Sequence, residues 1–243
     1  MNILIVGASS GLGKEIFDQQ IKKGEHIYAI SRYSKDEVYE YQIKYSKKII
    51  KVDLASIKEQ KELNSLIENF PSLDQIYFTL GGGFGRKDIL PSFEDMMFVY
   101  KMNVIIVGST IRALNLRGKL NNKSKICIIS SIASNEVTAS PTYSSAKSAL
   151  NTFSKVMTKQ KNKSFGSLTN FICGAFEGNG TGFDRLKTNN PDAYKNFIKN
   201  RLPNGKPLTT HELALFIIKT MDFSNEILDG LTIKVDGNES FSI

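Results

Sequence analysis

The stretch Asn2-Ile3-Leu4-Ile5-Val6-Gly7-Ala8-Ser9-Ser10-Gly11-Leu12-Gly13 decides the fold. Its first five residues carry no charge and include three β-branched side chains, the pattern of a buried strand. Behind Gly13, Ile16 and Ile21 mark the apolar side of a helix. Glycines between strand and helix permit a tight turn and let the backbone approach a ligand closely. A helix that starts at such a turn presents unpaired N–H groups and a positive dipole end, which together suit a pyrophosphate. The spacing is Gly-x3-Gly-x-Gly rather than the commoner Gly-x-Gly-x-x-Gly. Its place between a first strand and a first helix is therefore what identifies it as a dinucleotide turn. The candidate cofactor contacts here are Gly7, Ser9, Ser10, Gly11, Leu12 and Gly13.

Outward from this unit the alternation continues. Apolar strands are expected at 2–6, 26–31, 48–52, 75–80, 125–130, 168–173 and 231–235, and helices at 12–23, 56–69, 93–118, 142–161 and 210–221. Strands apolar on both faces suit a sheet covered on both sides. Strand–helix alternation with right-handed crossovers then predicts an α/β fold: a Rossmann-type doubly wound parallel sheet of about seven strands with helices on both faces. Residues 1–243 read as one dinucleotide-binding and catalytic domain, with an irregular substrate loop at about 174–208 that is rich in Gly and Pro.

Composition narrows the class of protein. The 243 residues are 41% hydrophobic and 23% charged, ordinary for a globular domain. A strand that begins at residue 2 leaves no room for a targeting leader, and no apolar run is expected to span a bilayer. Cys127 and Cys173 have neither ligand nor disulfide spacing, so no metal site is expected and both read as small buried thiols. A cytoplasmic protein follows. The net charge of +8 is spread along the chain without an Arg-rich helix. We therefore expect no nucleic-acid partner and no membrane, while the basic field favours anionic ligands.

Later residues refine the cofactor. An NAD site commonly offers an acidic side chain after the second strand, but this chain has Ser31 and Arg32 there, which suit a 2′-phosphate. NADP is thus expected, with NAD possible. Asp53, followed by Leu54, is placed to meet the adenine or to cap a turn. Chemistry is expected from Ser130-Ser131 and from Tyr143-Ser144-Ser145-Ala146-Lys147. Tyr143 and Lys147 are four apart on one helix face, and an ammonium beside a phenol favours the phenolate. Only one of the two serines should face the cleft, because strand side chains alternate. Ser131 is the choice from the Ser-Ser-x-Ala element, and a spacing of thirteen to the tyrosine would select Ser130.

These residues resemble the short-chain dehydrogenase/reductase family over almost the whole chain. The matching elements are the Gly7–Gly13 turn, Asp53, Asn103, the Ser131–Tyr143–Lys147 set and the closing Gly230 to Gly237. The resemblance implies hydride transfer between nicotinamide and the carbonyl or alcohol carbon of a small-molecule substrate. In it Tyr143 exchanges the proton, Lys147 binds the nicotinamide ribose and lowers the tyrosine pKa, Ser131 orients the substrate and Asn103 holds a water. It also implies a homodimer or homotetramer built on the helices at 93–118 and 142–161. Two departures stand out. Leu80-Gly81-Gly82-Gly83 replaces the family's Asn-Asn-Ala-Gly, and Cys173-Gly174 replaces Pro-Gly. Gly81, Gly82 and Gly174 are retained as cofactor contacts, and the added glycines are compatible with a mobile loop and a roomier entrance. Phe84, Phe176 and Phe183, with Asn179, Thr181 and Asp184, are expected near the cleft, a lining suited to a sugar-linked or acyl substrate. The alternative is a catalytically silent dinucleotide sensor, a class that typically lacks the tyrosine–lysine pair.

Overall fold

The computed structural model describes residues 1–32, 36–160 and 162–242. In chain order its strands are β1 (Asn2–Val6), β2 (His26–Ser31), β3 (Lys48–Lys51), β4 (Gln75–Phe78), β5 (Lys125–Ser131), β6 (Ser167–Cys173), β7 (Phe176–Glu177), β8 (Leu208–Thr209) and β9 (Thr232–Val235). Helices are α1 (Gly11–Lys22), α2 (Asp36–Tyr45), α3 (Gln60–Ile67), α4 (Phe93–Tyr100), α5 (Ile106–Leu116), α6 (Pro141–Thr158), α7 (Gly182–Asn189), α8 (Pro191–Arg201), α9 (Thr210–Met221) and α10 (Asn225–Leu228). Seven strands form one parallel sheet in the order β3-β2-β1-β4-β5-β6-β9, and β7 and β8 make a separate parallel pair.

Both faces of the sheet are dry, as strands apolar throughout require. Along β1, Leu4 and Val6 join a core with Leu63 and Ile67 of α3 and Ile106, Val107 and Ile111 of α5. Ile3 and Ile5 point the other way, toward Ile16 and Phe17 of α1 and Leu213, Ile217 and Met221 of α9. The side-chain period of two thus feeds two cores from one strand.

Several expectations need correction. The stretch 174–208 is not an irregular loop: it holds β7, α7, α8 and the start of β8. Its Gly and Pro residues lie beside helix starts, since Thr181 N-caps α7 and Pro191 opens α8 behind the N-cap Asn190. Helix α2 escapes a reading by periodicity because its one buried residue is polar, Gln42, so it carries no apolar stripe. The helix expected at 56–69 shrinks to α3, with Asp53 starting a 3-10 turn at Leu54–Ser56 before it. The helix expected at 142–161 is α6, and position 161 lies outside the described residues. Phe93–Leu116 is, against expectation, long and apolar enough to cross a membrane by length and composition. Its inner face carries Met102, Ile106, Val107, Ile111 and Leu114 into the core, and a core helix meets the same criterion.

Candidate active site

Strand order reverses between β1 and β4, and the crevice beyond the carboxyl ends at such a point is where ligands bind in doubly wound sheets. The Gly7–Gly13 turn forms one wall. Gly7 has a φ of +102°, and a Cβ there would lie 2.7 Å from Leu80 N. A Cβ on Gly13 would lie 2.2 Å from Gly7 O. The turn is therefore pressed against its own helix and against the exit of β4, closer than any side chain allows. Gln42 Nε2 donates to Ala8 O at 2.7 Å and fixes the turn from α2. Sequence reading misses this residue along with its helix. Leu12 is buried, and the Ser10 hydroxyl makes no capping bond to α1, leaving it for another acceptor or donor.

The second wall follows β4. Gly81 has a φ of +138°, and a Cβ there would stand 2.7 Å from Asn103 Oδ1 and 3.1 Å from Lys147 Nζ. Asn103 sits in a π-helical turn, Lys101–Ile105, between α4 and α5, a distortion frequent at functional sites. Its Oδ1 accepts from Gly82 N at 3.1 Å, and Nδ2 donates to Gly82 O at 3.0 Å and Val99 O at 2.9 Å. Both amide protons of this fully buried side chain are thus taken by backbone, and Asn103 acts here by pinning Gly82. The glycine-rich loop beyond is held rather than loose. Arg86 N donates to Gly83 O at 2.9 Å, and the Arg86 guanidinium pairs with Asp95 at 2.7 Å and lies 3.9 Å from the Phe98 ring centroid. Phe84, in a left-handed conformation at φ 52°, meets the same ring edge-on.

Ser131, Tyr143 and Lys147 come together between these walls and the end of β5. Ser140 N-caps α6 and Pro141 opens it, so that Tyr143 and Lys147 lie on one face in its first two turns. Lys147 is 3% exposed and donates to Ile129 O at 2.9 Å, with Nζ 5.8 Å from the Tyr143 ring centroid. Burial draws the Lys147 ammonium down to about 8. Burial also pushes the Tyr143 phenol up to about 12, against the pull of its hydrogen bond with Ser131. The net direction at Tyr143 in the ligand-free protein is therefore upward, opposite to the lowering expected beside Lys147. Loss of water outweighs the hydrogen bond at Tyr143, and the lysine itself is aimed at a carbonyl. Ser131 rather than Ser130 faces the phenol; Ser130 is buried with its Oγ unpartnered among the described residues. Cys173 stands near both groups, with its own thiol pushed up to about 12 by burial.

At the other end of the crevice, Ser31 is buried and its Oγ has no partner among the described residues. An orphaned hydroxyl beside a glycine cradle fits a dinucleotide, whose ribose or 2′-phosphate would supply the missing partner. Arg32 is exposed, 3.9 Å from Asp53 Oδ2. Asp53 Oδ1 accepts from Ala55 N at 3.1 Å, the turn-capping bond, and Leu54 is buried behind it. Gly174 also has close neighbours in the C-terminal segment. A Cβ there would lie 2.7 Å from Asp236 Cα and 2.8 Å from Glu239 Oε2, so its bare face is filled by the C-terminal segment. Of the three phenylalanines expected in the lining, Phe176 packs on the core and Phe183 on Phe197 of α8 at 4.8 Å.

A family model described as short chain dehydrogenase matches residues 1–179. The chain belongs to that family. A comparison with curated proteins finds no match. Among solved structures, L-sorbose reductase from Gluconobacter frateurii, complexed with NADPH and L-sorbose, is 21% identical with a TM-score of 0.81, covering 100% of this chain and 97% of that one. A short chain dehydrogenase family protein from Francisella tularensis is 19% identical with a TM-score of 0.81, covering 98% of each chain. The Pseudomonas aeruginosa RhlG/NADP active-site complex is 21% identical with a TM-score of 0.81, covering 97% of this chain and 94% of that one. At these identities the likeness shows a shared fold, and the family match rests on the sequence.

Proposed function

We propose that this short chain dehydrogenase is an NADP(H)-preferring oxidoreductase that reduces a small-molecule carbonyl or oxidises the matching alcohol, with Tyr143 handling the proton. The observation that carries the reading is the gathering of Ser131, Tyr143 and Lys147 beside the glycine cradle. Bound nicotinamide supplies or takes up the hydride. Tyr143, kept protonated through neutral pH by burial, is an acid positioned to give its phenol proton to a developing alkoxide. Ser131 Oγ, on the same phenol, is placed to share that oxygen. Lys147 keeps its charge up to about pH 8 and favours the phenolate left behind. Asn103 acts as a positioning residue, holding the Gly81–Gly82 wall. For the reverse reaction Tyr143 must first lose its proton, so alcohol oxidation gains as pH rises.

Preference for NADP rests on Ser31 and Arg32, and it accords with the NADPH or NADP bound in the related folds. The polar lining around Asn179 and Asp184 makes sugar and acyl carbonyls the first substrates to screen, and one related fold is an L-sorbose reductase. We also infer a homodimer or homotetramer. The outer face of Phe93–Leu116 exposes Phe93, Met97, Ile105 and Leu116, an apolar stripe that a second copy would cover.

Parallel titrations with NADPH and NADH, followed by reduced-nicotinamide fluorescence, test the reading. NADPH is expected to bind about tenfold more tightly, one charge-assisted hydrogen bond's worth. Binding of neither overturns the proposal, and binding without turnover of any carbonyl moves the sensor reading ahead.

A further inference from the structure

The segment after β7 crosses the mouth of the phosphate turn. Gly11 N donates to Asn179 O at 2.9 Å, and a Cβ on Gly180 would lie 2.8 Å from Ser10 Cβ. The turn brings no unengaged side-chain cation of its own to this place. Lys14, in the first turn of α1, is held by Asp18 at 2.6 and 2.7 Å. Arg185 is different. It lies in the first turn of α7, with Nη1 donating to Gly180 O at 2.8 Å in an exposed hydrogen bond. Among the described residues no carboxylate comes within ion-pair distance of it. Its neighbour Asp184 is taken up by the N–H of the same glycine, accepting from Gly180 N at 2.9 Å, and is not paired with the guanidinium. A guanidinium without a counter-ion therefore rests on the residue that packs against Ser10.

We propose that Arg185 binds the pyrophosphate of the dinucleotide, an arm that α7 brings to the glycine turn from the opposite wall. The inference rests on the dinucleotide reading above. A carbonyl is a neutral acceptor, whereas a phosphate oxygen is a charged one and makes a hydrogen bond roughly twice as strong. The guanidinium has five donors in a planar fork, so it can engage phosphate while one N–H stays on Gly180 O. Backbone N–H groups of the turn other than that of Gly11, which Asn179 O already takes, and one side-chain cation then share the two phosphate charges.

The test compares wild type with Arg185→Ala, Arg185→Gln and Arg185→Lys by NADPH titration and stopped-flow dissociation at low and high salt. Arg185→Gln keeps a donor for Gly180 O and loses the charge, so it separates phosphate binding from loop bracing. Ala and Gln variants are both expected to weaken NADPH about tenfold, mainly through faster dissociation, with Lys recovering part of the loss. Adenosine 2′-phosphate, which lacks the pyrophosphate, is expected to bind all four proteins equally, and their melting temperatures are expected to coincide. Unchanged NADPH affinity in Arg185→Ala overturns the proposal, as does wild-type affinity in Arg185→Gln beside a weak Arg185→Ala. A wild type that binds neither NADPH nor NADH overturns the dinucleotide reading and this inference with it.

Discussion

At one end of the crevice Lys147 is 3% exposed, bonded to a strand carbonyl and boxed in by Gly81; at the other, Arg32 has a side chain 67% exposed and, among the described residues, a partner no nearer than 3.9 Å. The proposed function puts both cations on the same extended ligand. Removal of water draws the lysine from 10.5 down to about 8, and it moves the tyrosine beside it from 10.0 up to about 12. An exposed pair such as Arg32–Asp53 is screened and contributes little to folding. On the proposed function the difference separates two uses of charge: the buried end would serve reactivity at a cost in stability, and the open end would choose between ligands at almost none.

The sharpest way to break this contrast is Tyr143→Phe. Turnover is expected to fall about a hundred- to ten-thousand-fold while NADPH affinity stays within about twofold, as loss of a proton donor alone requires. Steady-state rates beside a fluorescence titration read both, and retained turnover would remove Tyr143 from the chemistry. Lys147→Met comes next. Folding lowers the Lys147 pKa from 10.5 to about 8, so between these values the unfolded chain binds the extra proton and stability rises with pH. The buried charge costs most below pH 8. In the ligand-free protein the methionine variant is expected to be more stable by about 1–3 kcal/mol at pH 7, the gain fading as pH rises through that window. Denaturant melts at pH 7 and near pH 10 decide it, and a destabilised variant at pH 7 would mean that the Ile129 hydrogen bond outweighs desolvation. Arg32→Ala should give the smallest effect: NADPH weakened about tenfold, NADH within about twofold, and no change in melting temperature. Equal losses for both nucleotides would take the 2′-phosphate away from Arg32.

Legibility in the sequence follows the same physics. The β1–turn–α1 unit is readable because glycine, strand and helix signals coincide over a dozen residues, and the sheet because its strands are apolar on both faces. Tyr143 and Lys147 are readable from helical spacing, whereas their pKa directions depend on burial by distant segments. Asn103 stands out by resemblance, yet its work on Gly82 spans 21 residues and depends on a π-turn that no local pattern announces. The helices inside 174–208 hide behind their own Gly and Pro neighbours, and α2 behind a polar inner face. The packing of Gly174 against Glu239 is hidden too, because nothing in the local sequence points to that residue.

That last contact has a consequence for synthesis. Ala175 N donates to Glu239 Oε2 across 64 positions, and Gly174 N donates to Val235 O. A ribosome adding about 5–20 residues per second leaves this corner open for several seconds after β6 has emerged. The phosphate turn, by contrast, finds neighbours at Thr79 and Leu80, far earlier in the chain, and Asn179 and Gly180 join it later. The nascent chain thus supports its glycine turn on the exit of β4 well before the rim around Gly174 is closed.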